Sequence, residues 1–422
     1  MAGASEDDPA LGASDPARQP IVISGVRISA FVLLCGMGFL GRLSYEMIRT
    51  PITSLYAKQL GAPTEVIGLL VAAVTITGIF VKFPSGGLAD LYGFRRLMQG
   101  GLAVKATGPF LYLIVGSWPA LLAVRLFHGL STALYAPAAS AVVAKFYPKE
   151  RGSRLGAYGA AENAGVVLGP VLGAAVLART NFPVVFLVSG VIGVAALLAI
   201  LPFPKDAPSS TPRQSVREIA RRLSQGLRQI AGDPAIRLVS LMEAMLFSGV
   251  GTLQAYLPLY ALSVHITVAK MGLIFGAQGV VSIISRPFMG GAADRIGRRP
   301  FIVVGVTICA AVLIAIPHTG TFLPLLGLSA LFGLGTGMVT PSTTAMIGDL
   351  VTRGDFGAAM GVFGSLWDIG HAVGPLVAGV LIAWLDYRDA FALIAAAILT
   401  ALAIFLIGSR QYGSNATNSP EK

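Results

Sequence analysis

Arg42, Glu46 and Arg49 fall at i, i+4 and i+7 within one apolar run. That spacing puts all three on one face of a helix, with the glutamate placed to pair with either arginine. Three charges on a lipid-facing surface would make insertion unfavourable, so the triple is expected to line a central cavity. The alternative is a set of charges nearer the outer interface, reaching for water. A second group is Trp367, Asp368 and His371. Asp368 and His371 are three residues apart and share a face; a carboxylate that can take up a proton without unfolding the chain, with a histidine beside it, suits proton coupling. Arg125, again inside an apolar run, requires a partner or water, and His128 follows it as a candidate cavity residue. Glu162 and Glu243 are each open to two readings, protonation site or wetted cavity edge. Tyr45, Tyr256 and Trp367 are the aromatic side chains expected at a roomy, mostly apolar binding site.

Apolar spans must position these residues. Of 422 residues, 55% are hydrophobic and 12% charged, and the mean hydropathy is +0.75, values that place the chain in a bilayer. A membrane helix needs about 20 mostly apolar residues. Twelve segments qualify, near 28–58, 63–84, 97–116, 119–146, 154–177 and 182–202, then 236–262, 267–289, 300–317, 321–347, 356–384 and 389–408. The net charge of +11 points to topology rather than to nucleic acid, because the basic residues sit mainly in short loops between the spans. Arg95, Arg96, Lys145, Lys149, Arg151, Arg154, Arg295, Arg298 and Arg299 fall on one side, which predicts cytoplasmic termini and a cytoplasmic central linker. The first twenty residues lack a basic and then apolar leader, so the first span is expected to do the targeting. Cys35 and Cys309 lie in apolar runs of opposite halves and are read as core residues, with no metal cluster.

The chain also repeats itself. Gly86-Gly87-Leu88-Ala89-Asp90-Leu91-Tyr92-Gly93-Phe94-Arg95-Arg96 returns as Gly290-Gly291-Ala292-Ala293-Asp294-Arg295-Ile296-Gly297-Arg298-Arg299, with the aspartates 204 residues apart. The same offset carries Gly272 onto Gly68 and Pro341 onto Pro137, and one residue more carries Gly370 and Gly374-Pro375 onto Gly165 and Gly169-Pro170. The expected architecture is all-α and membrane-embedded. Twelve helices form two pseudo-symmetric six-helix bundles: a tail at 1–27, a bundle at 28–202, a basic linker at 203–235 with an amphipathic helix, a bundle at 236–408 and a tail at 409–422. The binding site is expected near mid-membrane, where the halves face each other. Glycines at 86, 87 and 93 suggest a tight turn between two helix ends, with Asp90 accepting hydrogen bonds from a neighbouring helix start. Gly165, Gly169, Pro170 and Gly173, echoed by Gly370, Gly374 and Pro375, form small-residue ridges for close helix packing.

From about Ile28 to Ile407 these features resemble the major facilitator superfamily. Gly86–Arg96 is similar to the loop between that family's second and third helices, although Leu91 and Phe94 stand where basic residues are usual. The resemblance implies a conformational latch between the halves, built from Gly86, Asp90, Gly93, Arg95 and Arg96 and from Gly290, Asp294, Gly297, Arg298 and Arg299. Arg125 with Gly129 resembles the family's membrane-embedded arginine, associated with proton transfer. The Gly165–Gly173 ridge resembles the signature of its twelve-helix drug–proton antiporters. Lys105 lies in a helix that often faces lipid in this family.

No nucleophile and base pair, metal cluster or phosphate loop appears, so no enzyme and no cofactor are expected, and the energy source is a proton gradient. The leading expectation is a proton-coupled exporter of hydrophobic or amphipathic small molecules, acting as a monomer in a bacterial cytoplasmic membrane with lipid, protons and substrate as its partners. Glu46 and Asp368 are the first proton-carrying candidates, ahead of Arg125, Glu162 and Glu243; Arg42, Tyr45, Arg49, His128, Tyr256, Trp367 and His371 are the cavity candidates. A transporter of one organic anion and a non-transporting sensor or scaffold are the alternatives.

Overall fold

The structure is a computed structural model describing residues 21–23, 26–204, 221, 224, 228, 232–351 and 356–416; the side chains of 21–28, 82–92, 356–359 and 409–416 are not described. Two short strands, β1 (Ile21–Ile23) and β2 (Val26–Ile28), pair antiparallel with Ile21 opposite Ile28. They place a small ribbon where only a tail was expected; β-branched residues on both sides of a Ser-Gly step favour a hairpin. Every other described element is helical. The elements are α1 (Ala30–Arg49), α2 (Ile52–Gln59), α3 (Thr64–Tyr92), α4 (Phe94–Tyr112), α5 (Trp118–Phe146), α6 (Arg151–Leu177) and α7 (Phe182–Leu198). The second half holds α8 (Pro234–Ser263), α9 (Val268–Ile296), α10 (Arg298–Ala315), α11 (Phe322–Leu350), α12 (Phe356–Trp384) and α13 (Tyr387–Ala416).

With α1 and α2 counted as one broken span, the described residues hold twelve main helices. Ten are long and apolar enough to span a membrane; α7 is apolar but short, and α4 carries Arg95, Arg96 and Lys105. The first span is not the single helix expected at 28–58: it stops at Thr50 and resumes at Ile52, because Pro51 has no N–H to continue the ladder. Ser29 caps α1 through Val32 N, Asn181 caps α7 through Val184 N, and Asp233 caps α8 with Pro234 in its first turn.

The expected turn at Gly86 and Gly87 is absent. Helix α3 runs through both glycines to Tyr92, and α9 likewise runs through Gly290 and Gly291 to Ile296. Only Gly93 (φ 89°) and Gly297 (φ 105°) take a left-handed backbone, and one such residue suffices to separate each helix pair. The predicted amphipathic helix of the linker lies largely outside the described residues, of which Arg221, Ser224 and Arg228 are helical.

Helices α1 to α7 pack among themselves, as do α8 to α13; the halves meet chiefly through α3 against α12 and α6 against α9. Both meetings rest on a missing side chain. A Cβ at Gly68 would run into the Pro375 carbonyl, and a Cβ at Gly272 would stand 2.9 Å from the Pro170 carbonyl. The contacts are related by the internal repeat, so two equivalent seams close one end of the molecule, opposite the end that carries Gly93 and Gly297.

Candidate functional site

Between the halves lies a cavity of about 390 Å³, bounded by α1, α3, α5 and α6 on one side and by α8, α9, α11 and α12 on the other. The Arg42, Glu46 and Arg49 face opens onto it. Glu46 is 4% exposed, and its Oε1 accepts both Arg42 Nη2 at 2.9 Å and Arg49 Nη1 at 3.2 Å. One carboxylate thus holds two guanidiniums, an arrangement whose attraction grows as water is excluded. The backbone brings this about through α6. A Cβ on Gly165 would sit 2.9 Å from the Arg42 Cβ, one on Gly169 would collide with the Glu46 Cβ, and one on Gly173 with the Met47 carbonyl. The glycine ridge seats α6 against the face of α1 that carries the charges.

Tyr45 completes this wall, edge-on to the His128 ring at 5.1 Å and flanked by the Arg42 and Arg49 guanidiniums at 5.7 and 5.9 Å from its centroid. His128 itself does not line the cavity. It is fully buried behind Tyr45, beside Tyr112 and against Gly108, which corrects its assignment as a cavity residue. Tyr256 is likewise displaced from the expected place: fully buried, it donates to the Thr64 carbonyl at 2.8 Å across the closed seam.

Opposite Glu46, α12 presents Trp367, Asp368 and His371 to the cavity. Trp367 stacks on Phe247 at 4.7 Å, and its Nε1 donates to Asp368 Oδ1 at 2.9 Å. His371 joins the halves. Its Nε2 lies 3.1 Å from Arg49 Nη2 and 3.0 Å from Gln254 Oε1, while its Nδ1 lies 3.3 Å from Thr75 Oγ1. An arginine can only donate, and Nε2 has one lone pair, so the two contacts belong to different tautomers: Nε2 accepts from Arg49 Nη2 in one and donates to Gln254 Oε1 in the other. Asn163, which the repeat aligns with Asp368, lines the cavity from the other half.

The remaining candidates are not brought to the cavity. Arg125 is 1% exposed and donates from Nε to the Leu70 carbonyl at 2.9 Å and from Nη2 to the Val71 carbonyl at 3.1 Å, tying α5 to α3. Glu162 is half-buried against Gly38 and Tyr158, one residue from the lining Asn163. Glu243 is fully buried; its Oε2 accepts Thr343 Oγ1 at 2.7 Å and its Oε1 has no hydrogen-bond partner. Lys105, placed by the family analogy on a lipid-facing helix, is instead 2% exposed, with Nζ 4.5 Å from the Tyr135 ring centroid.

In the second half the glycines do parallel work. A Cβ on Gly370 would meet the Ala244 carbonyl and one on Gly374 the Ser248 carbonyl, seating α12 on α8 as α6 sits on α1, with Pro375 packed over Gly251. Of the candidate latch residues, the side chains of Gly86 and Asp90 lie outside the described set. Arg95 Nη2 donates to the Ile200 and Leu201 carbonyls at 3.2 and 2.9 Å, just past the end of α7, and Arg299 Nη2 donates to the Leu406 carbonyl at 3.1 Å inside α13; the first caps the last helix of its half, and the second ties α10 to the body of the last helix of the other. Arg298 pairs with Asp349 at 3.0 Å and Asp294 at 3.5 Å, Gly290 packs near Pro341, and Arg96 is exposed.

Several lining residues were not foreseen: Phe247, Gln254, Gln278, Ser282 and, above all, Arg286. A signal existed for the last. The 204-residue offset places Arg286 on Lys82, a basic residue inside an apolar run in both copies.

The family model described as Major Facilitator Superfamily matches residues 34–267 and 239–422. The chain is 24% identical over 358 residues to an uncharacterized MFS-type transporter, MJ1560, of Methanocaldococcus jannaschii, a match covering 84% of this chain and 89% of that protein. It is 24% identical over 338 residues to the quinolone resistance protein NorA of Staphylococcus aureus, with 78% and 84% covered. Among solved structures it is similar in fold to a bacterial homolog of the human lysosomal transporter Spinster in an inward-facing, unoccupied conformation (TM-score 0.75, 14% identity, 90% of this chain and 96% of that one). The nucleoside transporter NupG is similar to the same degree (TM-score 0.75, 13% identity, 90% and 99%).

Proposed function

We propose, for a chain that belongs to the major facilitator superfamily and is therefore a multi-pass membrane transporter, that it exports hydrophobic or amphipathic small molecules in exchange for protons. The observation that carries the reading is the cavity at the contact of the two halves, where a buried Glu46 faces Asp368 among aromatic walls. Similarity to a quinolone resistance protein favours export of toxic compounds over uptake of nutrients.

In the proposed cycle the end closed at Gly68 and Gly272 keeps the cavity shut toward the outside, and substrate loads from the arginine-rich, cytoplasmic end. Trp367, Phe247 and Tyr45 receive its apolar body. The ionised Asp368 and Glu46 hold polar or cationic parts of it. Rocking of the halves then opens the seam, and a proton arriving on these carboxylates displaces the substrate, so proton and substrate exchange on one site. The deprotonated Glu46 has two arginines to hold it, and the protonated form frees them, which couples charge at the cavity to the Arg49–His371 contact between the halves.

The test is ethidium efflux. In a host lacking its own exporters, the chain should lower ethidium accumulation and confer resistance to several unrelated compounds, and proteoliposomes should move ethidium under an imposed pH gradient. Glu46→Gln and Asp368→Asn should each abolish the gradient-driven part while the protein remains inserted. Unchanged proton-coupled flux in both variants would sink the assignment. Flux of a single anion instead would select the second reading, which the excess of cavity arginines (Arg42, Arg49 and Arg286) over carboxylates favours.

A further inference from the structure

We infer that Arg286 is a substrate-binding residue that takes an anionic group of the transported molecule, a carboxylate, sulfonate or phosphate, carried on an apolar or aromatic body. The inference rests on the reading of the cavity as the transport site.

Arg42 and Arg49 are answered by Glu46, and Arg49 also reaches His371. Arg125 directs its donors to two backbone carbonyls of α3 and stands outside the cavity. Arg286 alone among the cavity arginines has neither an ion pair nor a hydrogen bond to any described residue, and its Nε is buried without a partner. A guanidinium presents five donors in a planar fork and does not give up its proton in a protein, so it cannot relieve its burial by neutralising. Arg286 is half-buried, and a cation partly withdrawn from water and left unpaired carries a cost that a mobile anion entering the cavity removes.

The nearest internal rival is the Glu243 carboxyl on the preceding helix, α8. It is held elsewhere. Its Oε2 faces Thr343, it has no solvent exposure, it does not line the cavity, and no contact of 4.0 Å or less joins it to the guanidinium. The surroundings define the rest of the ligand. Gln278, Ser282 and Arg286 recur every fourth residue along α9, so they form one polar stripe facing the cavity. Gln278 Oε1 is also buried without a partner, which leaves a second open hydrogen-bonding position on the same stripe. Across the cavity the Phe247–Trp367 stack offers a flat apolar wall. A planar body against that wall with an anion at Arg286 uses both features.

The experiment compares two probes of one shape, 2-naphthoate and 2-naphthamide, binding to the full chain in nanodiscs, read by quenching of tryptophan fluorescence. Trp367 lines the cavity and reports directly. The wild type should prefer the carboxylate at least about tenfold, equivalent to about 1.4 kcal/mol. Arg286→Gln should bring the two probes to within about twofold while still binding the amide. Arg286→Lys keeps the charge but not the planar fork, and serves if the glutamine variant does not fold; it should retain a preference of about threefold. No preference in the wild type, an undiminished preference in Arg286→Gln, or none in Arg286→Lys overturns the inference. The assay uses no gradient, so the exporter reading and the anion site can fail separately.

Discussion

The two halves share their packing almost position for position and differ in their charges. Gly68 receives Pro375, and Gly272 receives Pro170; Gly165 and Gly169 seat α6 on α1 as Gly370 and Gly374 seat α12 on α8. Polar residues at matching places have parted company. Arg298 and Asp349 form an ion pair at 3.0 Å, whereas their counterparts in the first half, Phe94 and Lys145, form a cation–π contact at 5.6 Å. The first half concentrates an anion between two arginines, and the second keeps Glu243 beside a threonine and Arg286 unpaired. Backbone contacts at glycine leave no room for substitution, while a charge pair can be replaced by any arrangement of similar energy. Duplication therefore preserved the seams and left the chemistry free to diverge.

The sharpest way to probe that asymmetry is to remove the two glutamates in turn. Glu46→Gln removes the carboxylate that pairs with both Arg42 and Arg49 in a partly dry site, and should lower stability by about 2–3 kcal/mol, below the range for a fully buried pair because Arg42 keeps 27% side-chain exposure and Asp368 lines the same cavity. Glu243→Gln retains an acceptor for Thr343 and should change stability by less than about 1 kcal/mol. Thermal unfolding of the purified variants measures both. Equal losses would mean that the halves carry their carboxylates in equivalent ways.

Next in size is the seam. An alanine at Gly68 points its methyl at the Pro375 backbone and the Tyr256 hydroxyl, and one at Gly272 points at the Ala174 methyl and the Pro170 carbonyl. Overpacking of this kind costs about 1–3 kcal/mol. Both variants should lose stability and favour the state in which this end is open, with Gly68→Ala the worse because backbone stands closer to its added methyl than it does at Gly272. Accelerated cysteine labelling of a Thr64→Cys reporter would show the opening; a tolerated alanine at both positions would break the claim that the seams are equivalent and tight.

Much of this was legible in the sequence, for a reason that also marks where it stopped. The bilayer demands about 20 apolar residues per crossing, so the spans could be counted, and the 204-residue echo revealed the duplication. Helices that are apolar on nearly every side carry no stripe to tell which residue faces the centre. Arg42, Glu46 and Arg49 escaped that ambiguity because three charges on one face exclude lipid. Single residues did not. His128 and Tyr256 proved to be packed behind the wall and in the seam, and Arg286 went unnoticed although the repeat set it opposite Lys82. The glycine pairs misled differently. Gly86 and Gly87 read as a turn, yet α3 continues through them, since glycine permits a turn without compelling one and only Gly93 adopts positive φ.

The smallest effect comes from the arginine-rich end, and it addresses the divergence most directly. If Phe94 with Lys145 and Arg298 with Asp349 are interchangeable solutions at one structural position, then Phe94→Arg combined with Lys145→Asp should transplant the second half's ion pair into the first. Both contacts are worth little at a surface where Asp349 keeps 64% side-chain exposure: about 0.5–1 kcal/mol for a cation over a ring, and up to about 1 kcal/mol for the pair. The double variant should therefore match the wild type within about 0.5 kcal/mol, whereas Phe94→Arg alone sets an arginine beside Lys145 and should be the less stable. Salt separates the two solutions. At 1 M ionic strength the screening length falls to about 3 Å, so the transplanted pair should lose more of its contribution than the original aromatic contact does. A double variant much less stable than either parent contact allows would show that the first half's aromatic choice is bound up with packing around Phe94 and is not an exchange of one weak electrostatic contact for another.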